Sequence, residues 1–196
     1  MTNLVDRPSS PRGDRRREQL VEAGVAVLCE SGWPAVTTRA VAERAATNPG
    51  LIHYHFGGLP GLHAAVAARA GELVIGPVAA AFVDALGRRQ AVATMRELLP
   101  HTLDDERAMR LAVELIAGAT RDPALGEVLR GQLRQVRTEI GEQLGRLHPA
   151  WPPARAGGVA TLVTALIDGL VLHYMVDPEL PLDDAFAVLG DLLEES

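Results

Sequence analysis

Three features of the sequence predict an all-α fold, with an N-terminal three-helix helix-turn-helix unit followed by a larger helical domain. Alanine and leucine abound while aromatic residues make up only 4%, a bias toward strong helix formers. Apolar residues recur three and four apart in segment after segment, the spacing of one buried helix face. No window alternates Val, Ile or Thr with polar residues for long enough to build a sheet. At 196 residues the chain can bury a substantial core, as one large domain or as a small domain joined to a medium one.

The first helix is read from Arg15 to Glu30, where Leu20, Ala23, Gly24, Val27 and Leu28 share a face and Gly32 follows as a stop. Residues 1–14, rich in Pro, Ser, Gly and Arg, are expected to be a disordered tail until something orders them. Thr37 is placed to cap a second, short helix, with Val36 and Val41 at the two positions of a hydrophobic staple that fixes the entry angle. That helix is expected to end near Ala45 or Ala46. Asn48 then caps a third helix whose first position is Pro49, where a missing N–H costs nothing and φ is already helical. Two short helices separated by about three residues and leaning on a longer one form a helix-turn-helix over residues 15–60.

Residues 61–196 read as the second domain. A helix from about Pro60 to Leu86 is expected to break near Gly76–Pro77, because an internal proline removes a backbone hydrogen bond. Helices follow near Gln90–His101 and Asp104–Thr120. Another runs from Pro123 to Leu147 with a stripe at Leu125, Val128, Leu129, Val136, Ile140, Leu144 and Leu147. Gly157–Val176 is nearly uncharged over a length that suits a membrane span. Asp168 and His173 inside it, and the expectation that no other such span exists, favour a helix apolar all round with one side in its own core and the other in a partner. The last helix, Asp183–Leu193, repeats apolar residues at Ala185, Phe186, Leu189, Leu192 and Leu193.

Charge and chemistry narrow the function. Residues 1–60 hold seven arginines against six carboxylates, a net of +1, so the rest must hold −7 to reach the total of −6. Five of those arginines fall between positions 7 and 17, and all nineteen basic residues are arginine, whose planar fork suits phosphate. Cys29 lies in an apolar helical pattern and has no partner for a disulfide, which points to a core residue in a reducing compartment. No apolar signal segment opens the chain, so a cytoplasmic location is expected. Nucleophile, base and orienting residue occur in no recognisable catalytic pattern, and no cofactor is implied. His53-x-His55 is a poor zinc pair without further ligands nearby, so no metal is expected.

The stretch TNPGLIHYHF, Thr47–Phe56, carries a different chemistry. On its helix Ile52 and Phe56 lie four apart and can share the buried face, leaving Gly50, Leu51, His53, Tyr54 and His55 outward. Small residues allow close approach, an apolar side chain meets a thymine methyl, and ring donors reach bases and phosphates, as a DNA major groove requires. The N-terminal N–H groups of the second and third helices can aim at phosphates as well.

The residues from Arg16 to Leu62 resemble the DNA-binding domain of the TetR family of transcriptional regulators. The matching marks are Glu30-Ser31-Gly32, the Thr37-Thr38 start, the core Val41-Ala42-Glu43-Arg44-Ala45, and Gly50-x-Ile52-x-Tyr54-His55-Phe56. The resemblance implies a homodimer that binds double-stranded operator DNA and is released by a small, largely apolar effector of unknown identity, with repression as the family expectation. The residues then expected at DNA are Arg15, Arg16, Arg17, Thr37, Thr38, Arg39, Asn48, Pro49, Gly50, Leu51, His53, Tyr54 and His55. For the effector pocket the candidates are Met95, Arg96, His101, Met109, Glu114, Trp151, Thr164, His173 and Tyr174, each a residue type that also fills ordinary helical core. Leu162, Leu166, Leu170, Phe186, Leu189 and Leu193 are expected at the dimer interface. Two positions depart from the family pattern: Ala46 stands where a turn glycine is usual, and Leu59 stands where a basic residue commonly touches phosphate. The arginine-rich tail is expected to compensate. The alternative is a helical interaction module that no longer reads DNA.

Overall fold

The computed structural model describes residues 11–87, 93, 95–97, 100 and 103–194. The described elements are α1 (Pro11–Ser31), a 3-10 turn at Trp33–Ala35, α2 (Thr38–Arg44), α3 (Gly50–Phe56), α4 (Leu59–Gly87), α5 (Glu106–Arg121), α6 (Pro123–Leu147), α7 (Pro153–Val176) and α8 (Leu182–Glu194). No strand occurs among the described residues. The chain forms two compact units, one of Met1–Ala70 with Glu114–Val128 and one of Gly71–Val113 with Leu129–Ser196.

α1 begins a turn earlier than its apolar face suggests, so residues 11–14 are helical and do not belong to a disordered tail. Pro11 suits a first helical position and Asp14 in the first turn complements the positive end of the helix dipole. Residues 1–10 lie outside the described residues. The first unit closes on a dense core in which Leu20, Val25, Leu28, Val41, Ile52, Leu62 and Val66 are completely buried. α1 is tied to α2 by a bidentate pair, Arg44 Nη1 and Nη2 donating to the two Glu30 oxygens at 2.6 Å each. This charge-assisted bond holds the Glu30 carboxyl below its ordinary pKa.

α4 runs unbroken through Pro77, contrary to the expected break. Gly76 and Pro77 are both exposed, so the acceptor that loses its N–H donor lies on the water side of the helix, where solvent can replace the bond. α4 is also a second helix long and apolar enough to cross a membrane, over Leu59–Leu86, beside Pro153–Val176. The expectation of a single such span is therefore corrected. Alanine-rich packing helices reach that hydropathy without charged residues, and Leu62, Val66, Ala67, Ala70, Ala79, Phe82 and Ala85 of α4 are buried in protein.

The second unit packs around Phe82, Met95, Leu103, Ile140, Leu144, Ala156, Ala160 and Phe186. These come from α4, the segment before α5, α6, α7 and α8. The expected helix over Gln90–His101 falls mostly outside the described residues, though 93, 95–97 and 100 are helical.

Candidate nucleic-acid interface

The reading surface is built by two helix ends and the turn between them. Thr37 caps α2 as the sequence predicts, its Oγ1 accepting the Ala40 N–H at 3.1 Å. Val36 and Val41, the two staple residues, are both buried. At the other end the Thr47 N–H donates to the Ala42 carbonyl at 2.9 Å and the Ala46 N–H to the Glu43 carbonyl at 3.1 Å. This pair of bonds is a Schellman motif, which needs a left-handed residue at its turning point. Ala46 takes that role at φ 47°, a conformation glycine would adopt without strain.

Asn48 starts α3. Its Oδ1 accepts the Gly50 N–H at 2.7 Å and its carbonyl accepts the Leu51 N–H at 3.0 Å, while Pro49 already has helical angles of −54° and −26°. α3 ends at Gly57, whose φ of 71° forms the left-handed cap. Ile52 is fully buried and fixes the helix to the core, whereas Phe56 is only half-buried. Gly50, His53 and Tyr54 point outward, Tyr54 with 73% of its surface exposed, and Leu51 and His55 are half-buried. Pro49, Asn48, Thr37 and Arg39 are exposed on the same turn-helix segment and Thr38 is half-buried. The Thr37 hydroxyl accepts at the cap but keeps its own O–H to donate.

α1 adds cations beside the end of α3. Arg15 and Arg17 are exposed and Arg16 is half-buried. The Arg17 guanidinium lies over the Phe56 ring, 5.1 Å from its centroid. Phe56, His55 and Tyr54 continue as a row of edge-to-face rings with centroids 6.3 Å and 4.9 Å apart. Partial burial, then the charges of Arg17 and Arg16, push the His55 pKa below its ordinary value against the opposing effect of Asp14. His55 is thus neutral at pH 7, able to donate from one ring nitrogen and accept at the other. Among the described residues no three His, Cys, Asp or Glu side chains gather as a metal site.

Four of the nine effector candidates meet in the second unit's core, and the other described ones have different surroundings. Met95 is buried in the second unit's core, and Met109, Trp151 and Tyr174 pack against it. Trp151 also stacks on His148, with centroids 4.2 Å apart, and carries Arg155 over its ring. Thr164 is buried but donates its hydroxyl to the Ala160 carbonyl of its own helix at 2.8 Å. Arg96 is exposed and pairs with Asp183 at 2.8 Å. His173 is exposed, and His101 lies outside the described residues.

Glu114 belongs to the first unit and does a different job. Its Oε2 accepts the Trp33 N–H at 3.2 Å and its carbonyl accepts Trp33 Nε1–H at 2.7 Å. The residues are 81 apart in sequence, so no local pattern could have paired them. The same Trp33 ring meets His63 edge-on at 5.3 Å. In the second unit, a groove of about 600 Å³ is lined by Ala80, Val83, Asp84, Glu139, Glu142, Gln143 and Arg146, none of them among the candidates.

The interface residues divide as well. Leu162, 72% exposed, and Leu166 remain open. Phe186 is a correction: it is 4% exposed and completes its own protomer's core. Leu170 and Leu189 are half-buried against that core. The Leu193 side chain lies outside the described residues. Beside Leu162, sequence reasoning did not single out Gly158, Ala165, Gly169, Leu172 and Val176 of α7, which continue its line at alternating spacings of four and three, with Leu172 and Val176 exposed. The spacing was readable, but a helix apolar all round offers several such lines and only packing selects one.

Comparisons with known proteins agree with this geometry over both parts of the chain. Residues 20–66 match the family described as bacterial regulatory proteins, tetR family, and residues 87–196 match the BetI-type transcriptional repressor C-terminal domain. The HTH-type transcriptional regulator BetI of Burkholderia mallei (strain NCTC 10229) is 28% identical over 183 residues, covering 88% of each chain. Among solved structures, the multidrug binding protein EbrR complexed with imidazole superposes with a TM-score of 0.69 at 26% identity, over 90% of this chain and 94% of that one. The regulator SCO7518 from Streptomyces coelicolor A3(2) superposes with a TM-score of 0.62 at 30% identity, over 81% and 86%. A capped, outward-facing reading helix in the first unit and a family match that spans more than half of the chain lead to one conclusion: this chain belongs to the TetR family of transcriptional regulators, with a C-terminal domain of the BetI type.

Proposed function

We propose that the chain binds double-stranded operator DNA as a homodimer, each protomer setting α3 into a major groove, and is released by a small, largely apolar effector. The observation that carries this reading is the posture of α3. It is capped at Asn48, anchored by buried Ile52, and presents Gly50, His53 and Tyr54 to solvent. Those are groups suited to a groove floor and its flanking phosphates.

Dimer formation is supported by α7. Gly158, Ala165 and Gly169 are interspersed with Leu162, Leu172 and Val176 along its exposed side, a line of small and large residues that lets two helices approach closely. A partner helix on this seam would shield the apolar surface that now makes α7 resemble a membrane span. Effector release is supported by the BetI and EbrR likenesses, the latter solved with small molecules bound. Met109, Trp151 and Tyr174 beside the core, and the 600 Å³ groove between α4 and α6, are the places to seek the molecule. A regulator of this kind acts in the cytoplasm and has no reaction to catalyse.

A mobility shift with DNA flanking the chain's own coding region, at two salt concentrations, tests the proposal. A sequence-dependent shift is expected, with half-sites about 34–36 Å apart or a multiple of that. A helical interaction module that does not read DNA would leave every duplex unshifted.

A further inference from the structure

We infer that Arg17, whose guanidinium carbon lies over the Phe56 ring, is the phosphate clamp at the C-terminal end of the reading helix, gripping a backbone phosphodiester at the rim of the groove that α3 enters. The inference rests on the DNA-binding reading and deepens it. It starts from a deficit: α3 is followed by Gly57, Gly58, Leu59 and Pro60, so the turn into α4 supplies no cation. A cation comes instead from α1. Arg17 is exposed, and its guanidinium lies 5.1 Å from the Phe56 centroid.

That geometry has a chemical consequence. A cation–π contact engages the charge without consuming any of the guanidinium N–H donors, which can then bind two phosphate oxygens at once. The ring also removes much of the rotamer freedom that a long side chain would otherwise lose on binding. Arg17 thus ends a row that runs through Phe56 and His55 to exposed Tyr54. The row joins the cation of α1 to the base-facing side of α3. The charge of Arg16 lies close enough to act on His55 as well, so the anion would meet two cations there.

The test measures the affinity of the full-length chain for a generic mixed-sequence duplex as a function of salt; non-specific binding suffices. For Arg17→Ala the slope of log K against log salt is expected to be shallower by about 0.9 for each phosphate released, so by about 1.8 for a dimer engaging both heads. Arg17→Lys keeps most of the slope and binds more weakly, because an ammonium neither stacks as a plane nor donates bidentately. Arg110→Ala, on α5, removes the same charge elsewhere and is expected to leave the slope unchanged. An unchanged melting temperature for Arg17→Ala shows that the exposed side chain is not needed for folding. A wild-type slope in Arg17→Ala, or an equal loss in Arg110→Ala, overturns the clamp while leaving the DNA reading intact. No binding by the wild-type chain to any duplex in dilute salt overturns both.

Discussion

The first unit buries its large apolar side chains, and the second leaves much of one apolar helix uncovered. In the first, seven large apolar side chains from α1 to α4 are completely buried, and both short helices are closed by their own caps. In the second, α7 buries only Ala156, Ala160 and Thr164 along its 24 residues and leaves Leu162, Leu166, Leu172 and Val176 exposed. A reading head must be rigid before it meets DNA, so its core is self-contained. Exposed apolar patches of the α7 kind on a folded chain mark interaction sites, and the proposed homodimer would cover this one.

The largest expected effect follows from that difference. Replacing both Leu162 and Leu172 by Glu places charges on the α7 seam without touching the first unit. Sedimentation is expected to show monomers, and affinity for an operator with two half-sites is expected to fall by a factor on the order of 10² to 10⁴, as linked binding events are lost. The first unit keeps its fold in this variant. A dimer that survives both charges would place the interface elsewhere.

Next in size is the Trp33 clasp. A Cβ at Gly118 would collide with Trp33 Nε1 and press on Leu125, so Gly118→Ala is expected to destabilise the first unit by about 1–3 kcal/mol, the usual range for overpacking. Denaturant unfolding followed by Trp fluorescence reads it directly, since Trp33 loses its bond to the Glu114 carbonyl. The second unit's helix content stays unchanged in the early part of the transition.

Ala46 gives a smaller effect of opposite sign. Its left-handed backbone costs roughly 1–2 kcal/mol, while glycine adds freedom to the unfolded chain worth about 0.4–1 kcal/mol. Ala46→Gly is therefore expected to stabilise the head by up to about 1.6 kcal/mol, visible as a higher melting temperature.

The smallest effect is a proton. In the free protein the His55 pKa lies below its ordinary 6.5, so the folded state binds fewer protons than the unfolded chain. The His55 contribution to stability is present in full above pH 6.5 and declines as pH falls from there toward the folded value. DNA phosphates beside Arg17 would raise that pKa, so affinity for duplex is expected to increase as pH drops from 7 toward 6. His55→Gln removes this dependence. A pH-independent affinity in the wild type would place His55 away from the phosphates.

How far the sequence went toward this structure depends on the range of the interactions. The caps at Thr37 and Asn48 and the Val36–Val41 staple involve residues within five positions of each other, and each was readable, while at Ala46 only the departure from the family's turn glycine was. The Trp33–Glu114 bonds join residues 81 apart, and Glu114 accordingly looked like a pocket residue. Phe186 shows a different limit: its helical spacing marks a buried face but cannot say whether its own core or a partner does the burying. The continuity of α4 through Pro77 was hidden because the outcome turns on which side of the helix faces water. The roles of the effector candidates could not be separated in the sequence either, since Met, Trp and Thr serve core and pocket equally well.

The most direct measurement is a hydroxyl-radical footprint of the full-length chain on the DNA upstream of its own coding region. Two protected half-sites on one face of the duplex, their centres about 34–36 Å apart or a multiple of that, are predicted, with protection lost together in the Leu162, Leu172 double variant. A dimeric wild-type chain that protects no sequence, or a single half-site protected equally well by the monomeric variant, would contradict a paired insertion of α3 into the major groove.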